Sequence, residues 1–137
     1  MMDLYKKQRL RMVDTQIRTR GITDARVLAA MEKIPRHIFI DGGLIEQAHQ
    51  DNPLPIGEGQ TISHPYIVAL MTQAMEVSKK DKVLEFGTGF GYQTAMLAEL
   101  AAQIFSVERN ALLAHRATKS LDVHGFFHVT IGGGGGT

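Results

Sequence analysis

Apolar residues recur at helical spacing through the first 80 positions and gather into short runs afterwards, and this change of period divides the chain in two. Leu4, Leu10, Val13 and Ile17 share one face of a helix predicted over residues 3–19, which Gly21 ends. Thr23 is the expected cap of a second helix, which buries Val27, Leu28 and Met31 and stops ahead of Pro35. From Asp41 to Gln60 the periodicity dissolves into DGGLIEQAHQDNPLPIGEGQ, whose glycine turns and stiff Pro53-Leu54-Pro55 segment predict an ordered loop. Ser63, followed by His64 and Pro65, opens a third helix with Val68, Met71 and Met75 on one face, and Ser63 is itself a good N-cap.

Past the turn at Lys79–Asp81 the units become strand, glycine loop and helix. Residues 82–86 (KVLEF) read as a buried strand, Gly87 to Gly91 as the loop, and the helix after it runs to about Ala102. Gln103–Val107 is a second strand ending at Glu108, Asn110 caps the next helix, and Phe127–Ile131 is a third strand. Alternating strands and helices predict a parallel, doubly wound α/β sheet in which strand two lies beside strand one and strand three beyond it. Strand one is normally central in such a sheet, yet nothing here pairs with its other edge, so a shortened chain and an edge open to self-association are expected. Gly132–Gly136 read as a flexible tail.

Composition narrows the possible functions. With 44% hydrophobic and 21% charged residues the 137-residue chain is a globular protein large enough for a core of its own. Cysteine is absent, which removes disulfides, thiolate nucleophiles and cysteine-based metal sites and suits the cytoplasm. No apolar run reaches membrane-spanning length and the first 20 residues contain no signal-peptide core. Residues 1–40 hold nine bases against four acids, but these charges alternate with apolar positions at helical spacing and read as a solvated face, so no nucleic-acid partner is expected. His115, His124 and His128 lack metal-ligand spacing, and no metal is expected.

Chemistry concentrates at the glycine loop. Glycines at the carboxyl end of a parallel strand let the backbone approach a ligand closely. Tyr92 stands where a dinucleotide fingerprint has its third glycine, which disfavours NAD. Glu108, 17 residues after Gly91, is placed to accept hydrogen bonds from a ribose diol, and Glu85 to face an ammonium or sulfonium. Read as level with each other on consecutive strands, the two acids point to a nucleoside-bearing cofactor.

Four stretches, MVDTQIRTRGI (12–22), VLAAMEKIPRH (27–37), DNPLPIGEGQTIS (51–63) and DKVLEFGTGFGYQ (81–93), resemble the protein-L-isoaspartate O-methyltransferases. The resemblance implies a Rossmann-like class I methyltransferase fold, of which the first three parallel strands are present, with an N-terminal helical lobe. Residues 1–80 would then be that lobe with the substrate and cofactor loop, and residues 81–137 the first half of the cofactor-binding sheet, within one structural domain. It also implies methyl transfer from S-adenosylmethionine to the α-carboxylate of L-isoaspartyl residues in damaged proteins, with S-adenosylhomocysteine as product. By position, Ser63 would orient the substrate carboxylate and, with Gln60, Thr61 and Ile62, line the cofactor pocket. Gly87, Thr88, Gly89 and Gly91 would face the methionine part of the cofactor, Glu85 would hold its amino group and Glu108 its ribose. The family's Gly-Asp-Gly after strand three is here Gly132-Gly133-Gly134, which removes an expected adenine contact. The competing reading is a non-catalytic fragment that binds cofactor weakly or not at all and self-associates through its open edge.

Overall fold

The computed structural model describes residues 4–40, 42–51, 54–57 and 60–133. The first helix is less regular than its periodicity predicts. Leu4–Met12 is α-helical (α1), Val13–Ile17 widens into a π turn, Arg18–Arg20 tightens into a 3-10 turn, and Gly21 closes the run in the left-handed region at φ 94°. Met12, Val13 and Ile17 are buried in the core on one face of this run.

Helix α2 (Ala25–Lys33) is capped by Asp24 and not by Thr23: the Asp24 carboxylate accepts from the N–H groups of Arg26 at 2.9 Å and Val27 at 3.4 Å. An aspartate with extended backbone one residue later satisfies two free helical donors, while the N–H of Thr23 donates to the Gln73 side chain at 2.9 Å.

The segment expected to be an ordered loop carries more structure than that. Just after a 3-10 turn at Arg36–Phe39, it contains another at Gly42–Gln47, then an antiparallel ribbon of β1 (Leu54–Gly57) and β2 (Gln60–Ile62), with Leu54 opposite Ile62 and Gly57 opposite Gln60. Pro55 is tolerated because both strands of a two-stranded ribbon are edges. Residues 41, 52, 53, 58 and 59 of that segment lie outside the described residues. Helix α3 (Pro65–Met75) starts at its proline, so its N-cap is His64, which makes no side-chain cap bond; Ser63 sits one residue outside the helix and does not cap it.

The second half follows the alternation read from the sequence. Strand β3 (Lys82–Phe86), helix α4 (Tyr92–Leu100), strand β4 (Gln103–Glu108), helix α5 (Ala111–Val123) and strand β5 (Val129–Gly133) build a parallel sheet in the order β3-β4-β5. Asn110 caps α5 through a 3.0 Å bond from the Leu113 N–H. The third strand is shifted relative to expectation: Phe127 is exposed outside it, and Gly132 and Gly133 pair with Val107 and Glu108 instead of belonging to a tail. Residues 134–137 lie outside the described residues.

One core takes residues from both halves of the chain, among them Met12, Ile17, Met31, Phe39, Tyr92, Met96 and Ile104. The predicted face of α3 exists, but only Val68 is buried; Met71 and Met75 are half exposed beside the outer edge of β3. Among the described residues no strand pairs with that edge, where Leu84 is 59% and Phe86 77% exposed.

Candidate active site

Strand β3 delivers Glu85 to its carboxyl end and then gives way to three glycines with positive φ: Gly87 at 90°, Gly89 at 56° and Gly91 at 100°. L-residues with a side chain rarely adopt such angles. Gly91 is also confined, since a Cβ there would lie 3.3 Å from Ala117 and 3.5 Å from the Phe39 ring. The loop is tied to the neighbouring strand by the Gly87 N–H, which donates to the Val107 carbonyl at 2.7 Å.

Two carboxylates flank this loop, though not level with each other. Glu85 is opposite Ser106 in the parallel register, whereas Glu108 is opposite Gly133, because β3 stops at Phe86 facing Val107 and Glu108 lies beyond it. Glu108 is buried; one oxygen accepts the Gly89 N–H at 2.8 Å and the other the Asn110 N–H at 2.9 Å. A carboxylate has about four lone-pair directions, so each oxygen keeps one for a further donor such as a ribose hydroxyl. Glu85 is held differently, its Oε1 accepting from the Thr94 hydroxyl at 2.5 Å and from the Ser106 hydroxyl at 2.7 Å. Burial raises the Glu85 pKa above the usual glutamate value, the two hydroxyl donors work against that shift, and the nearby charge of Glu108 adds to it.

A cavity of about 280 Å³ opens between α3 and the β3 edge, walled by Ser63, Met71, Glu85, Gly87, Thr88 and Phe90 among others. Gly89 and Gly91 also line it, and Glu108 does not. The structure therefore gathers Ser63, Glu85, Gly87, Thr88, Gly89 and Gly91 around one space and leaves Glu108 fastened to the loop from outside it. The backbone of Gln60, Thr61 and Ile62 forms β2, immediately before Ser63; their side chains lie outside the described residues.

Ser63 is exposed, and among the described residues no base hydrogen-bonds its hydroxyl, so the arrangement of a serine nucleophile is not built here. Its backbone is fixed from within by Arg36. That fully buried guanidinium donates to the Ser63 carbonyl at 2.8 Å and the Ala48 carbonyl at 2.7 Å and lies 4.7 Å from the Tyr92 ring centre. Burial pulls the Arg36 pKa down from the usual arginine value, with Tyr92 opposing the shift. At the start of the β1 segment, Asp51 pairs through both oxygens with Arg20, which holds its carboxyl below the usual aspartate range. Among the described residues no group of three or more potential ligands gathers as a metal site, and no helix is long and apolar enough to cross a membrane.

Arg36, Thr94 and Ser106 escape a reading of motifs. A signal for Ser106 exists nonetheless: it is the polar residue inside the apolar run QIFSV, at the register position opposite Glu85. Arg36 carries no such signal, because a charged residue next to proline reads as a surface turn until its burial is seen.

Comparison with known proteins agrees with this geometry. The profile of the family described as protein-L-isoaspartate(D-aspartate) O-methyltransferase (PCMT) matches residues 7–137. The protein-L-isoaspartate O-methyltransferase of Syntrophus aciditrophicus is 61% identical over 137 residues, covering 100% of this chain and 63% of the relative. The enzyme of the same name from Methanoculleus marisnigri is 55% identical over 135 residues, covering 98% of this chain and 61% of the relative. The chain thus spans rather less than two-thirds of the length of the curated relatives it matches. A solved structure named protein-L-isoaspartate O-methyltransferase superposes with a TM-score of 0.80 at 22% identity, over 94% of this chain and 42% of that one. A putative enzyme of this kind from Plasmodium falciparum, solved with S-adenosyl-L-homocysteine, gives 0.74 at 22% identity, over 95% of this chain and 62% of that one. The fold is the Rossmann-like α/β fold of class I methyltransferases, represented by three parallel strands and a helical N-terminal lobe.

Proposed function

Because the chain belongs to the protein-L-isoaspartate(D-aspartate) O-methyltransferase family, we propose that it serves methyl transfer from S-adenosylmethionine to the α-carboxylate of L-isoaspartyl residues in damaged proteins, a repair reaction of the cytoplasm. The observation that carries the reading is the single cavity lined by Ser63, Glu85 and the glycine loop. Residues 1–80 contribute the helical lobe and the Ser63 segment, and residues 81–137 the first half of the cofactor sheet.

The residues present fit the cofactor. Glu85 is a cavity-lining carboxylate with no counter-ion among the described residues, suited to a cationic amino group. The glycines at 87, 89 and 91 leave the loop surface free of side chains, and Glu108 keeps lone pairs for the ribose hydroxyls. Thr88, Gln60, Thr61 and Ile62 complete the pocket in this proposal. S-adenosylmethionine supplies a methyl group on a sulfonium, and an ionised carboxylate acceptor needs no base, so the work left to the chain is alignment and exclusion of water. Ser63 donates a hydrogen bond to the acceptor carboxylate and sets its direction, with Arg36 fixing the backbone from which the hydroxyl projects. Incubating the chain with labelled cofactor and paired peptides that differ only in an isoaspartyl or aspartyl linkage tests this reading. Label in the isoaspartyl peptide alone is expected; label in neither, or equally in both, contradicts it.

A second reading rests on the outer edge of β3, with which no strand pairs among the described residues, and on the exposed Leu84 and Phe86 of that strand, and assigns the edge a second copy of the chain as partner. Sedimentation across a concentration series tests it: dimers that dissociate on dilution are expected, and a monomer at every concentration contradicts it.

A further inference from the structure

The Glu85 carboxylate is embedded in a one-way chain of hydroxyls. Ser106 has a single hydroxyl proton, and it is given to Glu85 Oε1 at 2.7 Å. The 2.5 Å contact between Thr88 and Ser106 must then run from Thr88 as donor to Ser106 as acceptor. Thr94 adds a second donor to the same Oε1 at 2.5 Å. Thr88, Thr94 and Ser106 are all buried, so these hydroxyls have no water to turn to. Two protons of the set go to one carboxylate oxygen and the third to the Ser106 hydroxyl behind it, an arrangement organised for an anion and fixing the side chain's rotation. Among the described residues Glu85 has no salt bridge, and it lines the cavity, so the charge is held without a protein cation to answer it.

We propose that Thr94 and Ser106, with Thr88 behind Ser106, are positioning residues that lock Glu85 through Oε1 and present its Oε2 to the ammonium group at the amino-acid end of the bound nucleoside. This rests on the cofactor reading above and extends it: the three hydroxyls set affinity for the charged end of the ligand and leave affinity for its nucleoside end unchanged. Because Thr88 belongs to the glycine loop, the same chain ties the position of the acid to that of the loop.

The test is calorimetric titration of the full 137-residue chain and of Thr94→Val, Ser106→Ala and Glu85→Gln with two ligands. One is S-adenosylhomocysteine, which has the amino-acid end; the other is 5′-methylthioadenosine, which lacks it. Each hydroxyl variant is expected to lose roughly tenfold in affinity for the first and nothing for the second. On the Glu85→Gln background, Ser106→Ala is expected to change the ratio of the two affinities no further. Equal losses for both ligands, or an undiminished ratio, would overturn the proposal in favour of a purely structural network. If the unaltered chain binds neither ligand, the cofactor reading fails, and carbon-detected titration of the Glu85 carboxyl still decides the network. Its pKa rises in Ser106→Ala and Thr94→Val if the hydroxyls hold the anion, and stays put if they do not.

Discussion

Glu85 and Glu108 stand at the ends of neighbouring strands, flank one glycine loop, and are kept in opposite ways. Glu108 is buried and satisfied by backbone N–H groups, so it is part of what gives the loop its shape. Glu85 is held through one oxygen by side-chain hydroxyls and lines the cavity, so it is a group the loop presents. The difference teaches that a carboxylate beside a glycine loop is not one kind of evidence: Glu108 is fastened by backbone donors of the loop and its neighbour, and Glu85 by side-chain hydroxyls alone.

The comparison breaks most visibly at Glu108. Glu108→Ala strands two backbone donors in a buried setting and is expected to cost about 2–4 kcal/mol of stability, read by urea denaturation, together with all cofactor affinity. Gly91→Ala forces a side chain to φ 100° against Ala117 and Phe39, and a loss of about 1–3 kcal/mol is expected in the same assay.

Glu85 separates stability from binding. Its folded-state pKa lies above the ordinary value, so the stability linked to its protonated form is full below the ordinary glutamate range and is lost as pH rises through the folded value. Glu85→Gln removes that loss. Relative to the unaltered chain the variant is expected to gain stability as pH rises above the ordinary glutamate range, while its affinity for S-adenosylhomocysteine falls. A variant destabilised at neutral pH would place Glu85 with Glu108, as part of the framework.

Smaller effects sharpen the picture. Gly133 lies in open space at the end of β5, opposite Glu108. Gly133→Asp restores an acceptor where the family's adenine contact is expected, and S-adenosylhomocysteine binding should tighten by roughly fivefold, about 1 kcal/mol. Ser63→Ala should leave stability within about 0.5 kcal/mol, because this serine caps no helix, while methyl transfer falls and cofactor affinity holds.

How much of this was legible in the sequence depended on how local its cause is. The strand, glycine loop and helix of residues 82–100 follow from apolar runs and glycine, and Asn110 follows from capping chemistry; all stand where they were read. Misreadings came where a neighbouring residue competes for the same role. Asp24 outbids Thr23 as a cap, Pro65 moves the cap from Ser63 to His64, and pairing with β4 draws Gly132 and Gly133 into a strand. The β1–β2 ribbon was hidden because its prolines and glycines read as turns. In the candidate site, the glycines and both acids were legible as motifs, but their partners were not. Arg36 reaches Ser63 from 27 positions away, and Ser106 reaches Glu85 from 21, distances at which only the fold makes neighbours.

The central claim is that this chain builds a site for an S-adenosyl ligand. Calorimetric titration with S-adenosylhomocysteine, run beside NAD, tests it most directly. Saturable binding of one S-adenosylhomocysteine per chain with none of NAD is the predicted result; binding of NAD, or of neither ligand, would contradict it.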